Sequence, residues 1–416
     1  MVLKITDVRT ATVVGNYYWT FVRIYSHENS GTGEGFFAPR LADVIKEFGR
    51  VIIGEDALGI RHIVEKLKWA AVPSGRTGIN AHAISAIEIA LLDLVSRHLN
   101  CPMNTLLGGK LRDKVRVYVD AHSGNSLESM DEVLLPTRPK WSKKSNLGKE
   151  AKSNTPIHGR TEAREFGEGH TPEAYSRRGK QLKSDGYSAL KFDLDVPTPY
   201  FQKHKAISGS LTSKEIDYLS SLVAATRSAV GEEVDLLFDL HWRYDLESSI
   251  RLARALEQYN LMWLEDPLPP GNPKVYGRIV NSTRTPIATG ENLYSRFEFA
   301  QIFDTGIGIV TPDGLKMGGL LETKFVSEMG AEQEVNISPH NIGSPVGTMA
   351  QAHLSSSLPN FGVLEIHGHD VPIWSRMAKT MVIKDGFVEL SDAPGLGIEL
   401  DEKVAAKYCL QEKFDL

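Results

Sequence analysis

The 416-residue chain predicts an α/β architecture: a (β/α)8-type TIM barrel preceded by an α+β unit. Three observations carry that prediction. Short β-rich runs recur eight times between about residues 115 and 368, most of them followed by segments of helical periodicity. The first hundred residues read differently, as strands followed by helices. No G-x-G-x-x-G follows the first strand, which together with the strand number argues against a doubly wound open sheet.

In chain order, "ITDVRTATVV" and "TFVRIYSH" have strand character, and "GTGEGFFAP" supplies Gly-rich turns between or after them. "AHAISAIEIALLDLVSRHL", Ala81 to Leu99, is helical and apolar on most faces, so it is expected between layers. These residues form an N-terminal unit over 1–112. The barrel is expected over 113–370, its strands being "VRVYVDA", "SALKFDL", "DLLFDLH", "LMWLEDP", "PIATGEN", "GIVTPD", "EVNISPH" and "GVLEIHG". "LESSIRLARALEQY" is one of the intervening helices. A polar stretch at about 123–178, rich in Lys, Ser, Gly and Pro, is far longer than an ordinary βα loop. It follows the first barrel strand, and is expected as a lid over the C-terminal mouth or as a surface insertion. The last segment, 371–416, is expected to return to the N-terminal unit.

Composition is that of an ordinary globular protein, with 41% hydrophobic and 24% charged residues. A net charge of −5 gives no electrostatic footprint for nucleic acid or an anionic membrane. No apolar run reads as a membrane span or a signal peptide. Two distant cysteines, Cys101 and Cys409, suggest no disulfide framework and fit a cytoplasmic location.

Chemistry is expected where the apolar runs end in polar residues: Lys191 and Asp193, Asp239 and His241, Glu265, Glu291, Asp313, His340, Glu365. Strand C-termini of a barrel converge on one mouth, where catalytic side chains sit. Asp239, Glu265 and Glu291 recur at equal intervals, which predicts three carboxylates at equivalent heights on consecutive strands. Such anions repel unless a cation lies among them, and an all-oxygen set suits Mg²⁺. The two-residue strand period places Asp239 and His241 on one face, and likewise Lys191 and Asp193. Asp313 and His340 end adjacent strands, which allows the carboxylate to orient the imidazole as a general acid/base. Lys191 reads either as a base with a lowered pKa or as a binder of a substrate carboxylate. Glu365 reads either as a hydrogen-bond partner of a developing enolate or as an ion-pair partner.

Taken together, "FDLH", "WLEDP", "TGEN", "TPD…MGG" (Thr311 to Gly319), "SPHN" and "LEIHG" resemble the enolase superfamily, in its mandelate racemase-like branch. "GTGEG", "LLGGKLRD" and "PGLGIELDE" support the resemblance, which spans the chain apart from the long insertion. It implies an α+β capping domain over a modified barrel, with Mg²⁺ held by Asp239, Glu265 and Glu291. It also implies abstraction of the proton α to a carboxylate, giving an enediolate. Racemases of this branch carry Lys-x-Lys on the second strand, whereas this chain has Lys191-Phe192-Asp193. The third-strand Asp-x-His instead resembles acid-sugar dehydratases of the mannonate, galactonate and gluconate type. By that resemblance His340, with Asp313, takes the C2 proton and His241 protonates the departing C3 hydroxyl, or the two exchange roles. The product is a 2-keto-3-deoxy acid. An epimerase or cycloisomerase using Lys191 and His340 is the alternative. The resemblance further implies a small carboxylate substrate and a homo-oligomer. Tyr18 and Trp19, in the family's specificity loop, are expected over the substrate, with Asp193 and Arg243 as further substrate contacts.

Overall fold

The computed structural model describes residues 2–15, 18–121, 123, 166–200, 209–367, 373–381, 383–411 and 413–416. The N-terminal unit opens with an antiparallel sheet of β1 (Asp7–Val14), β2 (Tyr18–Tyr25) and β3 (Ser30–Gly35), followed by α1 (Leu41–Ile52), α2 (Ile60–Ala70) and α3 (Ile79–His98). The Gly-rich run expected as a turn is therefore mostly strand. Its glycines serve close packing. A Cβ on Gly31 would lie 2.2 Å from the Ala90 carbonyl oxygen, and one on Gly33 2.2 Å from that of Ala86, so only glycine lets α3 lie against β3. Helix α3 is the one described helix long and apolar enough to cross a bilayer, yet 94% of that stretch is buried inside the protein. It is the core of the cap.

Eight parallel strands follow: β4 (Lys114–Ala121), β5 (Ala189–Asp193), β6 (Asp235–Asp239), β7 (Trp263–Glu265), β8 (Ile287–Thr289), β9 (Ile309–Val310), β10 (Asn336–Ile337) and β11 (Leu364–Ile366). From β4 to β10 each pairs with the next, and β11 pairs with β4. Bonds from Ile337 N–H to the Asn360 carbonyl and from Gly362 N–H to the Ile337 carbonyl, both near 2.9 Å, tie β10 to the start of β11 and close the barrel. Helices with one apolar stripe cover the outside, for instance Ser213–Val230, whose Thr212 and Glu215 form a capping box, and Leu246–Leu256, capped by Asp245. The expected insertion lies mainly in 124–165, outside the described residues, as does any lid function. Its expected end overlaps a helix, Pro172–Ser184, that begins behind Thr171. The C-terminal segment meets the cap: Cys409 bridges Val13, and Arg23 pairs with Glu402 at 2.5 Å.

Two cap carboxylates hold the barrel from above. Glu34 accepts from the Ser344 N–H at 2.9 Å, the Ser344 hydroxyl at 2.5 Å and the Gly347 N–H at 2.9 Å, at the start of the barrel helix Pro345–Ser357. Glu88, on α3, accepts from the Leu321 N–H at 3.2 Å, at the start of Leu320–Ala331, which has no side-chain cap of its own. These contacts satisfy donors that helix starts leave unpaired. Gly319 must be glycine there: its φ is 111°, and a Cβ would lie 2.0 Å from Glu88 Oε2.

Burial pushes the Glu34 carboxyl up to about 7 and the Glu88 carboxyl up to about 8. Both folded-state values lie above the unfolded carboxyl range, so this contribution to stability is full in acid and is lost as pH rises through about 7 to 8. Thermal melts between pH 5 and 8.5 should show a falling Tm across that window. Glu34→Gln should melt lower throughout, with a shallower fall; an unchanged slope would contradict the assignment.

Candidate active site

The polar strand-end residues occupy two levels rather than one. Asp239 pairs directly with Glu265 in the β6–β7 register, so those two lie at one height, as expected. Glu265, however, pairs with Ala288, and Glu291 lies beyond the end of β8. Equal sequence spacing does not give equal height, because β7 and β8 are staggered. Asp313 and His340 likewise lie three residues past β9 and β10. A floor of strand residues thus sits beneath a tier carried on loops.

Lys191 organises the floor. Its ammonium lies 3.2 Å from Asp239, 3.3 Å from Glu265 and 2.7 Å from Glu365. Burial opposes its charge, but Glu265, Glu365 and Asp239 outweigh this and hold its pKa well above the ordinary lysine value. These three ion pairs favour the other expectation, a charged lysine that binds, over a base with a lowered pKa. Glu365 is its ion-pair partner and also accepts from the Asn341 N–H at 3.1 Å. Glu265 accepts from the Trp263 indole at 3.0 Å through Oε2, while its buried Oε1 has no hydrogen-bond partner. Burial, ahead of the neighbouring carboxylates Asp239 and Glu365, raises Glu265 to about 7.

In the upper tier His340 Nδ1 lies 2.8 Å from Asp313 and Nε2 3.1 Å from Glu291. Burial works against the imidazolium, yet Glu291, Glu365 and Asp313 raise it to about 10. Gln351 fixes the pair by donating to Asp313 at 3.1 Å and to the His340 carbonyl at 2.9 Å. Glu291, also buried, is held down at about 2 by His340 and Lys316. Lys316 donates to Asn292 at 2.5 Å and stands 4.2 Å over the Phe36 ring.

His241 is not on the strand face with Asp239. β6 ends at Asp239, and His241 and Trp242 both take left-handed conformations, with φ of 38° and 58°. The turn bends the imidazole back to lie 3.6 Å from Asp239, 3.3 Å from Asp195 and 3.8 Å from Asp193. Burial again opposes the charge, and Asp239, Asp195 and Asp193 raise the pKa well above the ordinary histidine value. Asp266 holds this turn, accepting the Trp242 backbone N–H on its carbonyl at 2.8 Å and the indole N–H on its carboxylate at 3.0 Å.

A cavity of about 290 Å³ opens onto Lys191, His241, Glu291, Lys316, His340 and Glu365. Asp239 and Glu265 lie beneath it, fully buried. Asp193 is buried against His241 and does not line the cavity. Among the substrate contacts expected from sequence, Trp19 is 1% exposed in the cap core against Gly15, not over the cavity. It lies on β2, whose alternation turns it inward. Tyr18 packs edge-on against Phe37 and supports the wall from behind. Arg243 is half-buried away from the lining, where Trp242 stands instead. Sequence reasoning missed Asp195, Asp266, Asn292 and Lys316. Asp195 repeats the two-residue period after Asp193, and the other three lie inside quoted motifs, so a signal existed for each.

Two sets of residues bear on cation binding. Asp239, Glu265 and Glu291 supply carboxylate oxygens, one of them the unsatisfied Glu265 Oε1, but are not among the described groups whose ligand atoms all lie within 4.8 Å of one another. Asp193, Asp195 and His241 form the described trio whose ligand atoms all lie within 4.8 Å of one another. Replacing Lys191 by Met should leave three buried carboxylates without their shared cation. Such losses typically cost ~3–5 kcal/mol, so a marked fall in Tm is expected.

Residues 3–108 match the N-terminal domain model of mandelate racemase / muconate lactonizing enzyme, and residues 174–404 match that of the enolase C-terminal domain-like family. A D-xylonate dehydratase of Haloferax volcanii is 34% identical over 96% of this chain and 87% of its own. A D-gluconate dehydratase of Thermoproteus tenax is 27% identical over 97% of this chain and 71% of its own. The crystal structure of a mandelate racemase/muconate lactonizing enzyme-like protein from Rubrobacter xylanophilus superposes with a TM-score of 0.85, at 33% identity, covering 98% of each chain.

Proposed function

The chain belongs to the mandelate racemase / muconate lactonizing enzyme family of the enolase superfamily, and from that premise we propose that it is a sugar-acid dehydratase, a hydro-lyase. The observation that carries the reading is the pairing of two imidazoles with separate carboxylate partners on one cavity, buried His340 with Asp313 and partly buried His241 with Asp195. Elimination of water from a sugar acid needs one group to take the proton α to the carboxylate and another to protonate the leaving hydroxyl. Two such groups with different partners supply both.

Asp239, Glu265 and Glu291 are the residues proposed to hold Mg²⁺. The oxygen-only donor set, the surplus of buried carboxylates over cations and the unsatisfied Glu265 Oε1 fit a hard divalent ion. When bound, the ion neutralises the negative charge that grows on the substrate carboxylate as its α-proton leaves. The chain's own groups do the rest. His340 would take the C2 proton on Nε2 from its neutral form, which a cation held by Glu291 would favour by offsetting the carboxylate that otherwise stabilises the imidazolium, while Asp313 fixes Nδ1–H. His241, charged among three carboxylates, delivers a proton to the C3 hydroxyl as the C–O bond breaks. The resulting enol tautomerises to the 2-keto-3-deoxy acid. Lys191, held by Glu365, faces the carboxylate end of the substrate from the floor.

Incubation with Mg²⁺ and a panel of aldonates and aldarates should yield 2-keto-3-deoxy acids; turnover of none would remove the proposal. Chelation should abolish activity and Mg²⁺ restore it. His340→Asn and His241→Asn should each lower kcat by about 10²–10⁴-fold with the fold retained. They should differ in heavy water: the His241 variant keeps exchanging the C2 proton without losing water, and the His340 variant does neither. The reverse pattern would exchange the two roles, and exchange without water loss in the wild type would favour an epimerase.

A further inference from the structure

The cavity is two-faced. Among the described residues, its charged groups all belong to the barrel, on the strands and the loops beyond them. The face supplied by the cap and by the loop after His340 is a continuous apolar roof of Phe36, Phe37, Ala38, Pro39 and Ile342. Phe37 and Phe36 pack with Tyr18 and Ile342 as one cluster, so the roof is built and not a chance of two rings. The polar side chain that α3 adds to it, His82, is wedged between Phe36 at 5.3 Å and Tyr294 at 5.9 Å. Neither His82 nitrogen has a hydrogen-bond partner in good geometry; the nearby Phe36 backbone attracts it only weakly. Burial pushes its pKa down to about 3, so the roof carries no charge there. Lys316, the cation nearest the roof, is engaged by Asn292 and Glu291.

Resting on the dehydratase reading above, we infer that the preferred substrate is a monocarboxylic sugar acid whose far end is a methyl group, a 6-deoxyaldonate. With its carboxylate and the C2–C3 bond on the charged floor, the chain's far end points at the roof. A hydroxymethyl group pressed against those rings exchanges water for a surface that returns no hydrogen bond, and a second carboxylate would have to compete for Lys316 with Asn292 and Glu291. A methyl group instead gains by leaving water. The cavity, about 290 Å³, lies at the small end of ligand sites, which run from roughly 300 to 1,000 Å³.

The test uses sets of three acids of matched configuration that differ only at the last carbon: methyl, hydroxymethyl or carboxylate. With Mg²⁺ present, kcat/KM for the methyl acid should exceed that of the other two by tenfold or more. Phe37→Ser should narrow the methyl-to-hydroxymethyl ratio to within about threefold. Kd values for the same acids, measured by calorimetry on the inactive His340→Asn protein, should show the same order. Equal or reversed preference overturns the inference, as does failure of every acid to bind. Binding in the expected order without wild-type turnover would instead overturn the dehydratase reading and leave the roof's selectivity standing.

Discussion

The site depends on one shared charge. Lys191 sits among carboxylates contributed by three different strands, β6, β7 and β11, and all four groups are almost completely buried. Like charges at such depth repel strongly, and a buried cation with no partner is equally costly. Each side therefore makes the other tolerable, and together they pin the ends of strands far apart in sequence. His340 performs the same service one level higher, among Asp313, Glu291 and Glu365. The acid–base groups of the proposed reaction are thus also the groups that permit so much negative charge in one place.

The cap is tied to the upper level more than to the floor. Glu34 and Glu88 satisfy the starts of the helices that follow the Asp313 and His340 loops. Ser85 on α3 accepts from the Gly318 N–H at 2.9 Å, and the Phe36 N–H donates to the Leu315 carbonyl at 2.9 Å. The segment from Asp313 to Gly347 is therefore held on one side by the barrel and on the other by the cap. Phe36 belongs to both functions: its backbone anchors the loop, while its ring forms roof and cation seat.

Much of this was legible in the sequence. The eight strands, the buried helix α3 and the gathering of polar strand-end residues at one mouth follow from periodicity, because backbone hydrogen bonding and apolar burial act locally. What was not legible depends on stagger and on departures from regular structure. Equal spacing suggested equal heights for Asp239, Glu265 and Glu291, yet strand offset lifts the third. The strand period placed His241 beside Asp239, and it does lie 3.6 Å away at the cavity, but by way of two left-handed residues beyond the strand end. Such φ values are rare outside glycine and have no reliable composition signal. Trp19 was assigned to the substrate because loops were expected where β2 runs, and strand alternation buries it. The ion pairs of Lys191 could not be read from spacing, because its three partners come from distant segments.

The two levels have unequal dependence on the N-terminal unit. The floor lies within strands whose ladders are complete inside the barrel. The tier above lies on loops whose order draws on hydrogen bonds from the cap. A barrel assembled without its cap would keep the Lys191 knot but lose the constraint on Asp313 and His340. The proposed chemistry thus draws on the docked pair, not on either part alone.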